Sequence, residues 1–285
     1  MTSTLQPLTL EDILKRNIKI PVCPAVFLSL VEALNNPKQQ NDKLVDMLSS
    51  DASLTAQILK AANSAFYSSV RTVRSVDDAI VRLGYTEIWS IASACKGKEM
   101  FKASTPEMEH FFAEQWDHSL KTGIFARTLA RRLNPRFADL FFTAGILHDI
   151  GKLLLAQAGK DYLELSAAGK CFGDELVKRE IQQYSTQHAT LGAELLKFWK
   201  IPDLVVKPIA AHHDKPTDGS AKDSWRILAV ADHVAHSVES TAIDNRRTFK
   251  VSIPDHLAAS IGMTKEDFLA ITSETLKQVA VLRSL

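Results

Sequence analysis

The stretch that decides the fold is Phe137–Leu155, FADLFFTAGILHDIGKLLL, near the middle of the 285-residue chain. Apolar side chains fill nearly every turn of this segment, which predicts one helix that is buried on most of its faces. A polar pair, His148-Asp149, interrupts the apolar run, and Lys152 lies on the same helical face. An adjacent His and Asp can offer a nitrogen and an oxygen to one cation, and the Lys152 ammonium could meet a phosphate held there. The segment therefore predicts a helical core and a candidate metal site together.

Helical spacing of apolar residues dominates the rest of the chain as well. Ser75 suits the cap of one helix and Gly84 its end, whereas Ser185 suits the cap of a helix that runs to Trp199 and carries His188. Convincing strand alternation is absent, and Ser240–Ser252 is predicted to be a polar loop. We therefore expect an all-α fold of two packed helical halves, divided near residues 103–105.

Composition narrows the classes of function. Lys plus Arg (34) nearly balances Asp plus Glu (33), so no overall basic field indicates nucleic acid. No uncharged apolar run approaches the roughly 18 residues of a membrane span, and the first ten residues lack the pattern of a signal peptide. The three cysteines are odd in number and far apart, which is typical of reduced thiols. These features predict a cytoplasmic protein without a membrane partner.

Further side chains that suit a metal lie on other predicted helices. They are His118, His188, His212, His213 and Asp232, with Glu114 one turn before His118 as an additional ligand. Each residue taken alone is more often a surface or hydrogen-bonded core residue than a ligand. Taken together, imidazoles and carboxylates in this number suit divalent Fe, Mn, Ni or Zn. They are too many for one small ion, so the set predicts two ions, with Asp149 as the natural bridge.

This order of residues resembles the HD phosphohydrolase superfamily, and especially its HD-GYP branch, which hydrolyses cyclic di-GMP. The resemblance places metal ligands at His118, His148, Asp149, His188, His212, His213 and Asp232. It assigns phosphate binding to Lys152 and a further ligand to Glu114. The chain departs from HD-GYP after His213, because Asp214-Lys215-Pro216-Thr217-Asp218-Gly219 replaces the longer loop that carries the GYP triplet. Metal binding is thus better supported than cyclic di-GMP hydrolysis.

The N-terminal half resembles the HDOD domain, a hydrolase-related output module of bacterial signalling proteins. The signatures are Ile20-Pro21-Val22-Cys23-Pro24, Asp51-Ala52-Ser53-Leu54-Thr55, Ala62-Asn63-Ser64-Ala65-Phe66-Tyr67 and Ala79-Ile80-Val81-Arg82-Leu83-Gly84. The resemblance implies a small helical bundle over residues 1–104 and an HD-like helical domain with the metal site over 105–240. Residues 241–285 are then a C-terminal helical extension that packs on the core.

Two functions follow from these features. The first is a regulatory signalling protein that keeps a metal centre and takes a protein partner or a small phosphorylated ligand. Asn63, Ser64, Phe66 and Tyr67 could form the partner surface, although helix termination and packing between the halves explain the same segment. The alternative is a metal-dependent phosphohydrolase or phosphodiesterase acting on a nucleotide or cyclic dinucleotide, with Asp149 and Lys152 as catalytic residues.

Overall fold

The computed structural model describes residues 6–34, 45–48, 50–67, 71–159, 161–167, 172–214, 225–243, 246–250 and 253–285. Most of the described chain is helical, which confirms the all-α class. The helices with defined ends are α1 (Leu10–Lys15), α2 (Ala25–Leu34), α3 (Ala52–Ala62), α4 (Val76–Leu83), α5 (Tyr85–Lys98), α6 (Pro106–Leu133), α7 (Ala138–Leu147), α8 (Ile150–Ala158), α9 (Asp161–Ala167), α10 (Asp174–Tyr184), α11 (His188–Phe198), α12 (Asp203–Ala210), α13 (Trp225–Ser237), α14 (Asp255–Ser260) and α15 (Lys265–Arg283).

A β-hairpin lies between α13 and α14, where the sequence predicts a loop. Strand β1 (Glu239–Ile243) pairs antiparallel with β2 (Arg246–Lys250), with Glu239 opposite Lys250. The loop prediction for Ser240–Ser252 was therefore wrong over most of its length. Its polar composition hid the β-branched residues that favour extended backbone. Backbone pairing between the two strands then satisfies donors and acceptors that a loop would leave to water.

Local capping fixes the helix ends in the N-terminal half as the sequence predicts. The Ser75 hydroxyl accepts a hydrogen bond from the Asp78 backbone N–H at 3.0 Å, which caps α4. Gly84 ends that helix with a positive φ of 77°, a conformation that suits glycine because it has no Cβ. Helix α5 begins directly after this turn.

One buried hydrophobic core runs through both halves of the chain. Trp89 of α5 meets Phe142 of α7 edge to face, with ring centroids 5.9 Å apart. Helix α15 packs on α5 and α6, and Gln278 donates a hydrogen bond to Glu87 of α5. The halves therefore share their apolar surface, and the C-terminal helix lies against the same core.

Two glycines allow helices to approach closely around the His148-Asp149 pair. A Cβ on Gly145 of α7 would lie 2.4 Å from the Gly123 Cα of α6. A Cβ on Gly151 of α8 would lie 2.0 Å from the His188 carbonyl oxygen of α11 and 2.7 Å from the Gly192 nitrogen. Neither contact leaves room for a methyl group, so these glycines set the spacing of two helix pairs beside the candidate ligands, α6 with α7 and α8 with α11.

Among the described residues, no helix combines the length and apolar character that crossing a membrane requires. Cys23 and Cys95 are free thiols and half-buried.

Candidate metal centre

The segment 137–155 is two helices rather than the single one predicted. Helix α7 ends at Leu147, α8 begins at Ile150, and Asp149 has φ −99° and ψ 9°, outside the helical region. The Lys152 backbone N–H donates to the Asp149 carbonyl at 2.9 Å and starts the new helix. Because of this break, His148 lies at the end of one helix and Asp149 at the start of the next. Both side chains are buried, with exposed fractions of 0% and 1%.

The remaining predicted ligands converge on this break from four other segments. His118 lies on α6, His188 opens α11, and Asp232 lies on α13, while His212 and His213 follow α12. Ser185 does not cap α11 as predicted; with φ 53° it ends α10, and α11 begins three residues later. All seven ligands predicted from the sequence are thus brought to one place.

The ligand atoms form four overlapping sets of three among the described residues, including one of His148, His212 and Asp232 and one of His118, Asp232 and His236. The other two sets share no residue and lie on either side of the Asp149 carboxylate. The His118 group consists of His118, His148 and Asp149, and the His188 group consists of His188, His212 and His213; within each, the ligand atoms lie within 4.8 Å of one another. The Asp149 Oδ2 atom lies 3.2 Å from His148 Nε2, and Oδ1 lies 3.2 Å from His188 Nε2. Asp149 therefore presents one oxygen to each group.

Asp232 completes the first group from α13. Its Oδ1 lies 2.9 Å from His118 Nε2 and 3.4 Å from His148 Nε2. Across the cluster, His213 Nε2 lies 3.0 Å from His188 Nε2. Carboxylate oxygens and imidazole nitrogens thus face one another at distances short enough for a small cation to bind between them.

Hydrogen bonds at Nδ1 turn the Nε2 atoms of three histidines inward. His148 Nδ1 lies 2.8 Å from the Gly145 carbonyl oxygen, and His212 Nδ1 lies 2.6 Å from the Ile209 carbonyl oxygen. His188 Nδ1 lies 2.7 Å from Glu180 Oε2. An imidazole that donates from Nδ1 keeps the Nε2 lone pair free, which is the arrangement that metal-ligating histidines require.

Buried polar atoms that make no hydrogen bond indicate that a cation fits this cluster, and histidine nitrogens lie 2.9 Å from Asp232 Oδ1 and 3.2 Å from Asp149 Oδ1. Asp149 Oδ1, Asp232 Oδ1 and His212 Nε2 are each inaccessible to solvent and lack a hydrogen bond. Buried polar atoms are rarely left in this state because their desolvation costs free energy. A divalent ion with an affinity for nitrogen and oxygen would satisfy all three, so the donor set fits Fe, Mn, Ni or Zn.

The electrostatics of the metal-free cluster favour ionised Asp149 and Asp232, neutral His118 and His213, and a protonated His148, whose proton a metal ion would have to displace. Burial lowers the pKa of His118 to about 3, and burial with the neighbouring His188 lowers the pKa of His213 to about 3. Burial also opposes a charge on His148, but the Asp149 and Asp232 carboxylates outweigh it and raise the pKa of His148 to about 10. The two buried carboxylates therefore stabilise a positive charge at the centre of the cluster, and a metal ion could supply that charge.

Lys152 contacts the same carboxylate that joins the two groups. Its Nζ lies 2.6 Å from Asp149 Oδ2, and the residue is 5% exposed. Burial opposes its charge, but the Asp149 carboxylate outweighs that effect and raises the pKa of Lys152. A cationic Lys152 therefore lies directly beside the candidate metal positions.

Two open cavities reach the cluster from different sides. One, of about 660 Å³, is lined by His118 and His236 together with Lys98, Lys121 and Arg283. The other, of about 680 Å³, is lined by His212, His213 and Asp232 together with Phe172 and Arg226. A small molecule therefore has access to ligands of both groups.

Glu114 is the one candidate ligand that the structure places apart from the cluster. Its side chain is 61% exposed and contacts His110 on the same helix, with His110 Nε2 3.2 Å from Glu114 Oε1. Glu114 lines the cavity that reaches His118, but it belongs to none of the ligand groups formed by described residues.

Two residues of the site were missed by sequence reasoning. His236 lies one turn after Asp232, its Nδ1 3.1 Å from Asp232 Oδ1, and it groups with His118 and Asp232. The Asp232–His236 spacing of four residues could have indicated it. Glu180, which contacts His188, is fully buried on α10 one turn after the buried Leu176. An acid on the apolar face of that helix was the available signal.

The predicted partner surface is largely occupied by contacts within the chain. The Asn63 side chain accepts from the Val73 N–H at 2.8 Å and donates to the Val73 carbonyl at 2.9 Å. The Tyr67 hydroxyl donates to Glu87, and Ser64 Oγ is buried without a partner. Phe66 remains 37% exposed. Of the segment 214–219 that departs from the HD-GYP pattern, residues 215–219 lie outside the described residues.

Comparisons with known proteins identify relatives of this chain. A Treponema pallidum (strain Nichols) protein of uncharacterised function is 24% identical over 264 residues, which cover 90% of this chain and 49% of the relative. The chain thus spans about half the length of that relative.

Solved structures share the fold. An HDOD domain protein of unknown function from Geobacter sulfurreducens superposes with a TM-score of 0.71 at 22% identity, covering 95% of this chain and 94% of that one. A candidate phosphohydrolase from Shewanella amazonensis SB2B superposes with a TM-score of 0.67 at 24% identity, covering 95% and 97%. The HDOD domain itself matches residues 20–215, a span that includes both the N-terminal signatures and six of the seven candidate ligands. The chain belongs to the HDOD domain family.

Proposed function

We propose that this chain is a regulatory protein of bacterial signal transduction that keeps a dinuclear HD-type metal centre. The observation that carries the metal centre is the convergence of three buried atoms that make no hydrogen bond, Asp149 Oδ1, Asp232 Oδ1 and His212 Nε2. The regulatory role rests on membership of a family of output modules. A cytoplasmic location and a protein partner or small phosphorylated ligand remain predictions that accompany this proposal.

The two oxygens of Asp149 support the proposal of two ions. Oδ2 lies near His118 and His148, whereas Oδ1 lies near His188. A carboxylate whose oxygens face separate sets of nitrogens can bridge two cations. One ion would take His118, His148 and Asp232 with Asp149, and the other would take His188, His212 and His213 with the same carboxylate.

Metal analysis of the purified protein tests this proposal. After anaerobic purification from medium supplemented with Fe or Mn, we expect two ions per wild-type chain. Asp149→Asn should lose both ions and His118→Ala one of them. His110→Ala is the matched control, because His110 lies on the same helix with an 87% exposed side chain and should leave the content unchanged. A wild-type protein that folds but holds no ion would refute the metal centre.

A metal-dependent phosphohydrolase is the second candidate, and the two open cavities favour it. The cluster can be reached by a molecule of several hundred Å³, because His118 lines one cavity and His213 the other. Bound divalent ions would polarise a phosphoryl group and lower the pKa of a bound water. Lys152 would neutralise a non-bridging phosphoryl oxygen, and the buried carboxylate of Asp149 would keep that ammonium in place. The fold shared with the Shewanella protein is compatible with this activity.

Turnover separates the two candidates. Protein with its metals bound is incubated with bis(p-nitrophenyl) phosphate and with a cyclic dinucleotide. Absence of turnover with both ions in place supports the regulatory function. Hydrolysis that disappears in folded Asp149→Asn, and survives in His110→Ala, would make the chain a phosphohydrolase instead.

A further inference from the structure

Glu180 is a buried carboxylate on a helix whose other charged residues are solvated. Helix α10 exposes Glu175 and Arg179, which pair with each other at 3.2 Å, whereas Glu180 is 0% exposed. Burial of an ionised carboxylate is costly unless partners surround it. The contacts of Glu180 therefore identify what this residue does.

Both oxygens of Glu180 accept hydrogen bonds, and most of these come from His188. The His188 backbone N–H donates to Oε2 at 2.9 Å, and His188 Nδ1 lies 2.7 Å from Oε2 and 2.9 Å from Oε1. The Tyr162 hydroxyl, itself 0% exposed, donates to Oε1 at 2.6 Å. Tyr162, Glu180 and His188 thus form a continuous buried chain of hydrogen bonds from α9 through α10 to α11.

The backbone contact makes Glu180 the cap of α11. The first N–H groups of a helix have no partner within the helix, and Gln187 at the cap position makes no side-chain hydrogen bond. Glu180 supplies that acceptor from a different helix. It therefore holds both the backbone and the ring of His188, which leaves the imidazole one orientation with Nε2 toward Asp149 Oδ1.

The other inward-facing histidines are held differently. Backbone carbonyls of Gly145 and Ile209 accept from His148 and His212, and neither carries a charge. Only at His188, among these three, does a carboxylate occupy the equivalent place. A carboxylate behind a ligating imidazole fixes its tautomer and raises its basicity, and losing such a partner typically costs 10–100-fold in metal affinity.

We propose that Glu180 is a positioning residue for His188, which strengthens one of the two metal positions, the one at His188, His212 and His213, and that Tyr162 holds Glu180 in place. This inference rests on the dinuclear centre of the proposed function. It predicts an asymmetry: loss of Glu180 affects one ion and spares the ion at His118 and His148.

Titration of metal-free protein with Co²⁺, followed by calorimetry and by the visible absorption of the bound ions, tests this asymmetry. In Glu180→Gln, one of two binding events should weaken by about 10–100-fold, with a changed spectrum for that ion only. Tyr162→Phe should weaken the same event by about 2–10-fold, because Glu180 loses one hydrogen bond but keeps its contacts with His188. Glu175→Gln is the matched control on the same helix, and both of its binding events should equal those of the wild type.

A second measurement tests the contact between Glu180 and His188 in metal-free protein. In metal-free wild-type protein, long-range ¹H–¹⁵N spectra should show His188 as the tautomer protonated at Nδ1, and Glu180→Gln should disturb that signal. Unchanged affinity for both ions in folded Glu180→Gln, or equal weakening of both, would overturn the inference and leave the dinuclear centre standing. If Glu180→Gln fails to fold, Tyr162→Phe decides in the same way. Wild-type protein that binds no Co²⁺ would overturn both proposals.

Discussion

The two halves of the chain use their polar motif residues in opposite ways. In the N-terminal half, Asp51 caps α3 through the Leu54 N–H at 2.9 Å, and Asn63 binds both backbone groups of Val73. In the C-terminal half, Asp149 and Asp232 each keep a buried oxygen without a hydrogen bond. Asp51 and Asn63 of the first half therefore form hydrogen bonds that build the fold, whereas Asp149 and Asp232 of the second half each keep an oxygen that makes none.

This difference separates the residues that identify the family from those that can do chemistry. The N-terminal signatures are the more specific mark of an HDOD domain, yet most of their polar side chains act as caps and clamps. Each C-terminal histidine or acid is unremarkable in sequence. Their arrangement, however, brings together several buried polar atoms that make no hydrogen bond. Recognisable motifs can thus mark stability, and the site has to be found by looking for polar groups that the fold does not satisfy.

The largest effect is expected at Gly151, where one close contact supports both the fold and the candidate site. A change there should therefore lower both the stability and the metal content, against the division between the two halves. In Gly151→Ala the new Cβ would lie 2.0 Å from the His188 carbonyl oxygen, a backbone atom that cannot move alone. We expect a loss of about 3 kcal/mol or more in the free energy of unfolding, together with loss of bound metal. Urea unfolding and metal analysis measure the two effects. Gly159→Ala, whose Cβ would meet only the Tyr184 side chain, is the control; equal stability of the two variants would contradict the close approach of α8 and α11.

An intermediate effect is expected at Asn63, where only the fold should suffer. Asn63→Ala removes the two hydrogen bonds to Val73 and a side-chain one to the Leu59 carbonyl, and the part-buried backbone N–H and carbonyl of Val73 lose these partners. The free energy of unfolding should fall by about 2 kcal/mol, while the folded protein keeps its full metal content. Ser64→Ala provides the neighbouring control, since Ser64 Oγ has no hydrogen bond to lose. Metal loss in folded Asn63→Ala would show that residues of the N-terminal half also support the metal site.

The smallest effect is expected at Phe66, the exposed aromatic residue of the same segment. Phe66→Ala should change the free energy of unfolding by less than about 1 kcal/mol and leave the metal content unaltered, because the ring is 37% exposed. Thermal unfolding beside Leu269→Ala, a 53% exposed residue of α15, measures it. A destabilisation as large as that of Asn63→Ala would place Phe66 among the structural residues. A small effect would leave Phe66 as the part of this segment best suited to a partner.

The sequence predicts the helical class and the ligand set because both depend on local pattern and order along the chain. Apolar spacing identifies α4 and α6, and the order of His and Asp identifies residues from 118 to 232 that meet in space. The break at Asp149 was missed because the apolar pattern of residues 137–155 continues through it, although the backbone turns. The hairpin at Glu239–Lys250 was missed because its polar composition resembles that of a loop.

The surroundings of each candidate ligand cannot be predicted from such patterns. Nothing in the order of residues says that Glu180 faces His188 while Glu114 faces solvent, because that depends on how α10 and α6 rotate about their axes when they pack. Only a three-dimensional arrangement separates a solvated acid from a buried one. The acid on the apolar face of α10 is nevertheless a signal that a search for misplaced charges would find.

The cluster lies where four helices begin or end: α7 stops before His148, α8 starts after Asp149, α11 starts at His188, and α12 stops before His212. Helix ends are the parts of a fold that open most readily, and their amide protons exchange with water before those of the core. A cation bound here would tie these four ends together and slow the exchange of their amides as a group. Gain or loss of the ion, or of a ligand on it, would therefore be transmitted as a change in local opening along four helices at once, which is a form of output that needs no rearrangement of the core.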